Sequence, residues 1–465
     1  MPLKVVSSIF KAYDIRGVVQ TALTAETVRA IGHAFGLDAK AKGMTDCVVG
    51  RDGRLTGPVL IEALTEGLRD AGVNVIDIGM VATPMVYWAT YHLGTATGVM
   101  VTGSHNPPEY NGLKMVVAGD AVYGDAVQDL RKAIEAGLPA PAAQRGTYKT
   151  EFIADAYRAR ITHDVKLATP IKVAVDCGNG APGAYAPKLF RELGCAVTEL
   201  FCEVDGNFPN HHPDPAHEEN LQDLIKCLKE TDCEIGLAFD GDGDRLGVVT
   251  KDGQIIYPDR QMMLYARDVL SRNPGAQIIY DVKCSRLLTE EIKRAGGVPL
   301  MWKTGHSLLK VKLKETGAPL AGEMSGHVFF KERWYGFDDG LYTAARLLEI
   351  LSKAKAAGQD ITALLNGLPN SSSTPELQIK CAEGENTKVV AHMQANGKFE
   401  GAQNIVTIDG IRVEYADGFG LARQSNTTPV VVLRFEADNP AALARIQGQF
   451  KTAIAAAKPD AVLPF

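Results

Sequence analysis

The sequence predicts an α/β protein: three similar α/β domains with mixed sheets around a cleft, followed by a smaller C-terminal α+β domain. Three observations carry this. A β-branched run ending in polar or small residues recurs as Val48-Val49-Gly50-Arg51-Asp52, Val173-Ala174-Val175-Asp176 and Ile278-Ile279-Tyr280-Asp281. Each is followed by a helical pattern and a second apolar run, Gly98-Val99-Met100-Val101, Ile235-Gly236-Leu237-Ala238-Phe239 or Pro319-Leu320-Ala321. Each second run meets a polar loop: Thr102-Gly103-Ser104-His105, Asp240-Gly241-Asp242-Gly243-Asp244-Arg245 or Gly322-Glu323-Met324-Ser325-Gly326-His327. Ligands of open α/β sheets gather beyond the strand ends, so the three loops are expected to face one cleft. A hairpin is expected after each loop, as at 247–257 around the tight-turn pair Asp252-Gly253, which makes the sheets mixed rather than parallel.

Linkers are read at 137–143 and 367–375, where Gly, Pro, Ala and Ser accumulate. The resulting domains are 1–149, 150–254, 255–368 and 369–465. The last carries strands at 410–415 and 429–435, a connecting loop at 423–428, and a final helix over 440–458.

At 465 residues the chain is too long for one core, and 46% hydrophobic with 22% charged residues is ordinary for a globular protein. A net charge of −6 gives no broad basic field. Nucleic acid is therefore not expected as a partner, and an anionic ligand must be met by locally placed cations. The eight cysteines include no Cys-x-x-Cys pair, which speaks against a zinc site or a disulfide framework and for a reducing compartment. No signal-peptide pattern and no run of about 18 apolar residues occurs, so a cytoplasmic protein without membrane association is expected.

Asp240, Asp242 and Asp244 stand at alternate positions on a glycine-softened turn that lets three carboxylates converge on one cation. Such oxygen donors suit magnesium or calcium. A helix-loop-helix calcium site is excluded, because Arg245 and Lys251 stand where its Gly and Glu belong. A solvated Asp-Gly turn is the plain alternative, and the crowding of three carboxylates argues against it. Arg245 follows directly, so an anion bridging metal and guanidinium would be held by both, and phosphate fits.

Ser104 sits among turn-forming residues and by itself reads as a turn serine. No Gly-x-Ser-x-Gly elbow accompanies it. Gly178-Asn179-Gly180-Ala181-Pro182-Gly183 formally matches a dinucleotide fingerprint with Glu199 downstream, which raises an NAD-dependent dehydrogenase as an alternative. Pro182 and Pro187 stand where the phosphate-binding helix would open and continue. Lys303-Thr304-Gly305-His306 and the 322–327 loop combine an acid, hydroxyls and imidazoles suited to sugar hydroxyls. Arg423-Gln424-Ser425-Asn426-Thr427-Thr428 offers a guanidinium, an amide, hydroxyls and backbone donors to a phosphate.

Together these loops, in order over essentially the whole chain, resemble the α-D-phosphohexomutase family in its bacterial phosphomannomutase/phosphoglucomutase branch. The motifs that carry the resemblance are Thr102-Gly103-Ser104-His105-Asn106-Pro107, Asp240-Gly241-Asp242-Gly243-Asp244-Arg245, Gly322-Glu323-Met324-Ser325-Gly326-His327 and Arg423-Gln424-Ser425-Asn426-Thr427. The resemblance implies a fourth domain of the TATA-binding-protein-like type and reversible interconversion of mannose or glucose 1-phosphate and 6-phosphate. It makes Ser104 the phosphoserine, with Mg2+ held by Asp240, Asp242, Asp244 and the phosphate on Ser104, and hexose 1,6-bisphosphate as intermediate and activator. It puts Arg245 beside that phosphate, brings Tyr13 and Arg16 to the active site with Arg16 as a catalytic and Tyr13 as a substrate-binding residue, and makes Lys114 and His327 candidates for proton transfer. Lys283, His306, Glu323, Met324, Ser325, Gly326 and His327 would line the sugar site. Arg423, Gln424, Ser425, Asn426 and Thr427 would clasp the non-reacting phosphate.

Met324 resembles the mannose/glucose branch rather than phosphoglucosamine mutases, which usually carry Gln there. A monomer or dimer is expected. The alternatives are a phosphoglucosamine mutase, a non-catalytic sugar-phosphate-binding protein and the dehydrogenase.

Overall fold

The computed structural model describes residues 3–426 and 428–465, so Thr427 lies outside the described residues. The chain forms two compact units. One comprises residues 1–258, 310–315 and 325–367, and the other 259–309, 316–324 and 368–465.

The first unit holds two mixed sheets. In one, the strands run in the order Ile15–Val18, Tyr110–Val117, Gly98–Val101, Asp46–Arg51, Asn74–Met80, Tyr148–Thr150, with Asp120–Ala121 paired to Tyr110–Val117. Asp46–Arg51 runs parallel to both neighbours, while Tyr110–Val117 returns antiparallel to Gly98–Val101. Cys47, Val48 and Val49 are fully buried, as expected of a central parallel strand covered on both faces.

The second sheet runs in the order Ile255–Ile256, Leu246–Thr250, Ile235–Phe239, Lys172–Asp176, Ala196–Leu200. Ile235–Phe239 is parallel to Lys172–Asp176 and antiparallel to Leu246–Thr250, so its polar end feeds a short loop and an immediate hairpin. Gly253 takes φ +87° in the hairpin turn, the left-handed conformation that its Asp-Gly pair predicts. Asp339 caps the helix Gly340–Ala356 by accepting from Tyr342 N.

In the second unit Gln277–Asp281 lies between Val298–Trp302 and Leu320–Gly322, all parallel. A separate antiparallel sheet orders Ser372–Ser373, Val430–Ala437, Gly418–Gln424, Ile411–Tyr415, Asn404–Val406, with Leu377–Lys380 also paired to Val430–Ala437. Helices Glu385–Asn396 and Pro440–Ala457 close a core of Val389, Met393, Val413, Phe435, Phe450 and Ile454. The expected final helix is thus present. Arg423 and Gln424, expected on a loop, instead end the strand Gly418–Gln424. Gly418 and Gly420 admit the helix face carrying Ile446 and Phe450, while Phe419 and Leu421 pack with Val282. The glycines erased the apolar alternation by which a strand is read from sequence.

The Gly178–Gly183 fingerprint does not build a dinucleotide site. The amides of Gly178, Asn179, Gly180 and Ala181 donate to Asp176 Oδ1, Phe201 O, Cys177 O and Gly241 O, so none is left for a pyrophosphate. The chain then makes a single turn, Ala181–Ala184, and the short helix Ala186–Glu192. Among the described residues no helix is long and apolar enough to cross a membrane.

Candidate active site

Ser104 follows the strand Gly98–Val101 and is buried with φ +50°. A left-handed non-glycine residue is held there only by surrounding bonds. The first is local: Ser104 N donates to Thr102 Oγ1 at 2.8 Å. The rest come from Arg54, whose guanidinium donates to the carbonyls of Ser104 (2.9 Å), Asn106 (2.6 Å), Pro107 (2.6 Å) and Tyr110 (2.9 Å). Asp52 holds Arg54 Nε at 3.2 Å and accepts from Gly103 N and Thr102 Oγ1. The loop is therefore wrapped around one buried ion pair.

Ser104 Oγ donates to Asp240 Oδ2 at 3.2 Å and lies 3.1 Å from His105 Nδ1. Burial, then the positive charges of Arg245 and Arg16, hold His105 well below the usual imidazole range, so it is neutral. Gly241 brings the carboxylate loop against the serine: a Cβ there would stand 2.5 Å from the Ser104 carbonyl oxygen.

Asp240, Asp242 and Asp244 are fully buried, and ligand atoms from all three lie within 4.8 Å of one another. Asp242 Oδ2 accepts from Thr83 Oγ1 (2.5 Å) and Lys114 Nζ (2.8 Å) and lies 3.2 Å from Thr102 Oγ1, and Asp244 Oδ2 accepts from Lys114 Nζ (2.5 Å). Asp242 Oδ1 and Asp244 Oδ1 are buried without a hydrogen-bond partner. Burial and the charges of Asp244 and Asp242 push the Asp240 carboxyl well above the usual range. Three buried carboxylates against the Lys114 ammonium and the Arg245 guanidinium, with two orphaned oxygens, fit a hard divalent cation. Burial works against the Lys114 ammonium, but Asp242 and Asp244 outweigh it and raise its pKa, so Lys114 remains charged.

Arg16 Nη1 donates to Asn106 Oδ1 at 2.6 Å and Nη2 to Asp14 Oδ2 at 2.5 Å, which brings Arg16 to the serine loop. Tyr13 lies on the turn before strand Ile15–Val18. Ser325 and Gly326 lead into His327, with Gly326 O accepting from Leu246 N. A β-bridge joins Arg245 to His327, and Arg245 Nε donates to His327 Nε2 at 3.1 Å. A guanidinium only donates, so His327 Nε2 carries the lone pair and Nδ1 the proton. Nδ1 lies 3.1 Å from Asp338 Oδ2 and 3.5 Å from Asp244 Oδ1. Arg245 N also donates to Asp240 Oδ1 at 3.2 Å.

In the second unit, Glu323 Oε1 accepts from Gly305 N at 2.5 Å, joining the 322–324 loop to the loop that ends at His306. Asp281 accepts from Thr304 Oγ1 (3.0 Å) and Met324 N (3.2 Å). Asp409 Oδ2 accepts from Thr304 N (2.9 Å) and Arg423 Nε (3.0 Å). Lys283 Nζ donates to Glu376 Oε2 at 2.9 Å. Gln424 pairs with Val431, Ser425 N donates to Val430 O, and Asn426 comes next on the turn. Asp281 thus ties the 304–306 loop to Met324, and Asp409 ties the same loop to Arg423 at the end of strand Gly418–Gln424, with Gln424, Ser425 and Asn426 following directly.

Sequence reading missed Asp52, Arg54, Asp338, Asp281 and Asp409. Asp52 and Asp281 end the very runs that were read as strands, and a charged residue at a buried strand end was the available signal. Arg54, Asp338 and Asp409 carried none, because their partners are distant in sequence.

Fold and site together define an intramolecular phosphotransferase. Four family models match the chain: the phosphoglucomutase/phosphomannomutase α/β/α domains I, II and III at residues 7–140, 151–253 and 257–371, and the C-terminal domain at 376–453. A phosphoglucomutase of Neisseria gonorrhoeae is 58% identical over 96% of each chain. A phosphomannomutase/phosphoglucomutase of Pseudomonas putida is 56% identical over 100% of this chain and 99% of its own. The crystal structure of a phosphoglucomutase/phosphomannomutase family protein from Burkholderia thailandensis matches with TM-score 0.93 and 61% identity, covering 99% of this chain and 100% of that one. The chain belongs to the phosphoglucomutase/phosphomannomutase family.

Proposed function

We propose that this protein interconverts hexose 1-phosphates and hexose 6-phosphates of mannose and glucose through a phosphoryl group carried on Ser104. The observation that carries this reading is the hydrogen bond from Ser104 Oγ to Asp240 within the carboxylate cluster. Asp240, Asp242 and Asp244, with an oxygen of the phosphorylated serine, would hold magnesium, which supplies charge neutralisation when bound.

In the forward half-reaction the bond between phosphorus and Ser104 Oγ breaks as the free hydroxyl of the hexose monophosphate bonds to phosphorus. His327 Nε2, the unprotonated nitrogen, takes the hydroxyl proton once the Arg245 guanidinium that donates to it turns to the substrate's phosphoryl group, and Lys114 Nζ, an ammonium, stabilises the serine oxygen as it leaves. The bisphosphate then turns around, and its other phosphoryl group returns to Ser104 with the proton movements reversed. Hexose 1,6-bisphosphate from solution phosphorylates a bare Ser104 by the same step, which makes it the activator.

Arg16, Arg245 and Tyr13 position the reacting phosphoryl group. Glu323, Met324, Ser325, Gly326, Lys283 and His306 hold the sugar, while Arg423, Gln424, Ser425, Asn426 and Thr427 bind the phosphate that does not react. We assign the phosphoserine, metal, sugar and phosphate roles to 1–149, 150–254, 255–368 and 369–465. Incubation with glucose 1-phosphate or mannose 1-phosphate, magnesium and trace bisphosphate, followed by phosphorus NMR, should give the 6-phosphate. No 6-phosphate from either sugar rules the reading out.

A further inference from the structure

We propose that Cys177 and Cys202 are a peroxide-responsive dithiol whose disulfide slows the mutase. The two sulfurs lie 3.6 Å apart, brought together because Lys172–Asp176 and Ala196–Leu200 are adjacent parallel strands and both cysteines lie just beyond their ends. Cys177 N donates to Leu200 O at 3.2 Å, so the two backbones run side by side at this point. Cys202 is half-buried and Cys177 fully buried, which makes Cys202 the sulfur an oxidant reaches and Cys177 the sulfur that resolves it.

The chemistry balances with a hydroperoxide as oxidant. The Cys202 thiolate attacks the peroxide oxygen and becomes a sulfenic acid, while the peroxide's other oxygen leaves and, with one proton, becomes water or alcohol. The Cys177 sulfur then attacks the Cys202 sulfur; its own proton leaves with the sulfenic hydroxyl as a second molecule of water. Two thiols are oxidised by two electrons, and a dithiol such as dithiothreitol returns both by exchange.

Closing the sulfurs from 3.6 Å to the ~2.05 Å of a disulfide pulls on backbone that supports the carboxylate loop. Cys177 O accepts from Gly180 N at 2.7 Å, Asn179 N donates to Phe201 O at 2.8 Å, and Asn179 Nδ2 to Glu203 O at 2.8 Å. The same short turn ends in Ala181 N, which donates to Gly241 O at 2.9 Å, between Asp240 and Asp242. Displacement of a ligand loop by a fraction of an ångström to 1 Å costs about 10- to 100-fold in rate.

The test exposes the full-length protein to hydrogen peroxide, blocks remaining thiols with N-ethylmaleimide and maps the digest by mass spectrometry, with mutase activity followed in parallel. The expected result is a Cys177–Cys202 linked peptide lighter by two hydrogens, a 10- to 100-fold activity loss, recovery with dithiothreitol, and resistance of Cys202→Ser and Cys177→Ser. A different pairing, no linked peptide, a linked peptide with unchanged activity, or equal loss in both serine variants overturns the proposal. The activity arm rests on the mutase reading, whereas the linked-peptide arm does not. Untreated protein without turnover would therefore count against the mutase alone.

Discussion

Arg54 Nη2 donates to the carbonyl of Ser104 at 2.9 Å, and the same guanidinium holds three further carbonyls of the serine loop. The loop's left-handed serine is thus kept in place by one buried cation whose own charge is met by Asp52. Replacing Arg54 with Met leaves Asp52 buried and unpaired, and should destabilise the first unit by about 3–5 kcal/mol. Denaturant unfolding should show that loss, with kcat falling more than KM changes. Unchanged stability would mean that the ion pair does not hold the loop.

His327 Nδ1 lies 3.1 Å from Asp338 Oδ2, and its Nε2 accepts from Arg245 Nε. His327→Ala should lower kcat by about 10²- to 10⁴-fold, the range for loss of a positioned proton acceptor. Asp338→Asn should give a smaller loss in kcat with KM little altered. Wild-type kcat in His327→Ala would remove the histidine from the reaction.

Asp409 ties the Arg423 side chain to Thr304. Asp409→Ala frees both, and the expected outcome is a rise of about tenfold in KM for the hexose phosphate, about 1.4 kcal/mol of binding, with kcat nearly kept. Steady-state kinetics reads the split. A loss confined to kcat contradicts a positioning role in binding.

Asp339 carries a pH dependence of stability. Burial, reinforced by Asp338, raises its carboxyl from 3.8 to about 7, against the hydrogen bonds from Tyr342 N, Tyr157 and Trp334. The folded protein therefore keeps a proton that the unfolded chain releases. This contribution is complete below the unfolded value and is lost as pH rises through about 7, at no more than about 1.4 kcal/mol per pH unit. The Tm of the wild type relative to Asp339→Asn should fall from pH 4 to pH 8. A pH-independent difference would contradict the assignment.

Much of the fold was legible in the sequence because strand, loop and hairpin repeat on a fixed plan. The alternation of Asp240, Asp242 and Asp244 after an apolar strand was enough to predict, without any structure, that three carboxylates converge. Ser104 was not legible alone: its neighbours are ordinary turn residues, and only Arg54, fifty positions away, reveals that the loop is held from beneath. The strand through Arg423 was hidden because Gly418 and Gly420 stand where apolar side chains would have shown the period. Asp281 and Asp409 act through backbone amides of other loops, contacts that no local pattern encodes.

The central claim is that one phosphoryl group shuttles through Ser104. Intact and peptide-level mass of the protein, taken before and after exposure to glucose 1,6-bisphosphate with magnesium, tests it most directly. The expected result is a gain of one phosphoryl group on the peptide containing Ser104, lost again on addition of hexose monophosphate. No such gain is expected in Ser104→Ala, whose turnover should be lower by about three orders of magnitude or more. A Ser104→Ala protein that turns over at the wild-type rate, or a phosphoryl group found stably on another residue, would contradict the claim.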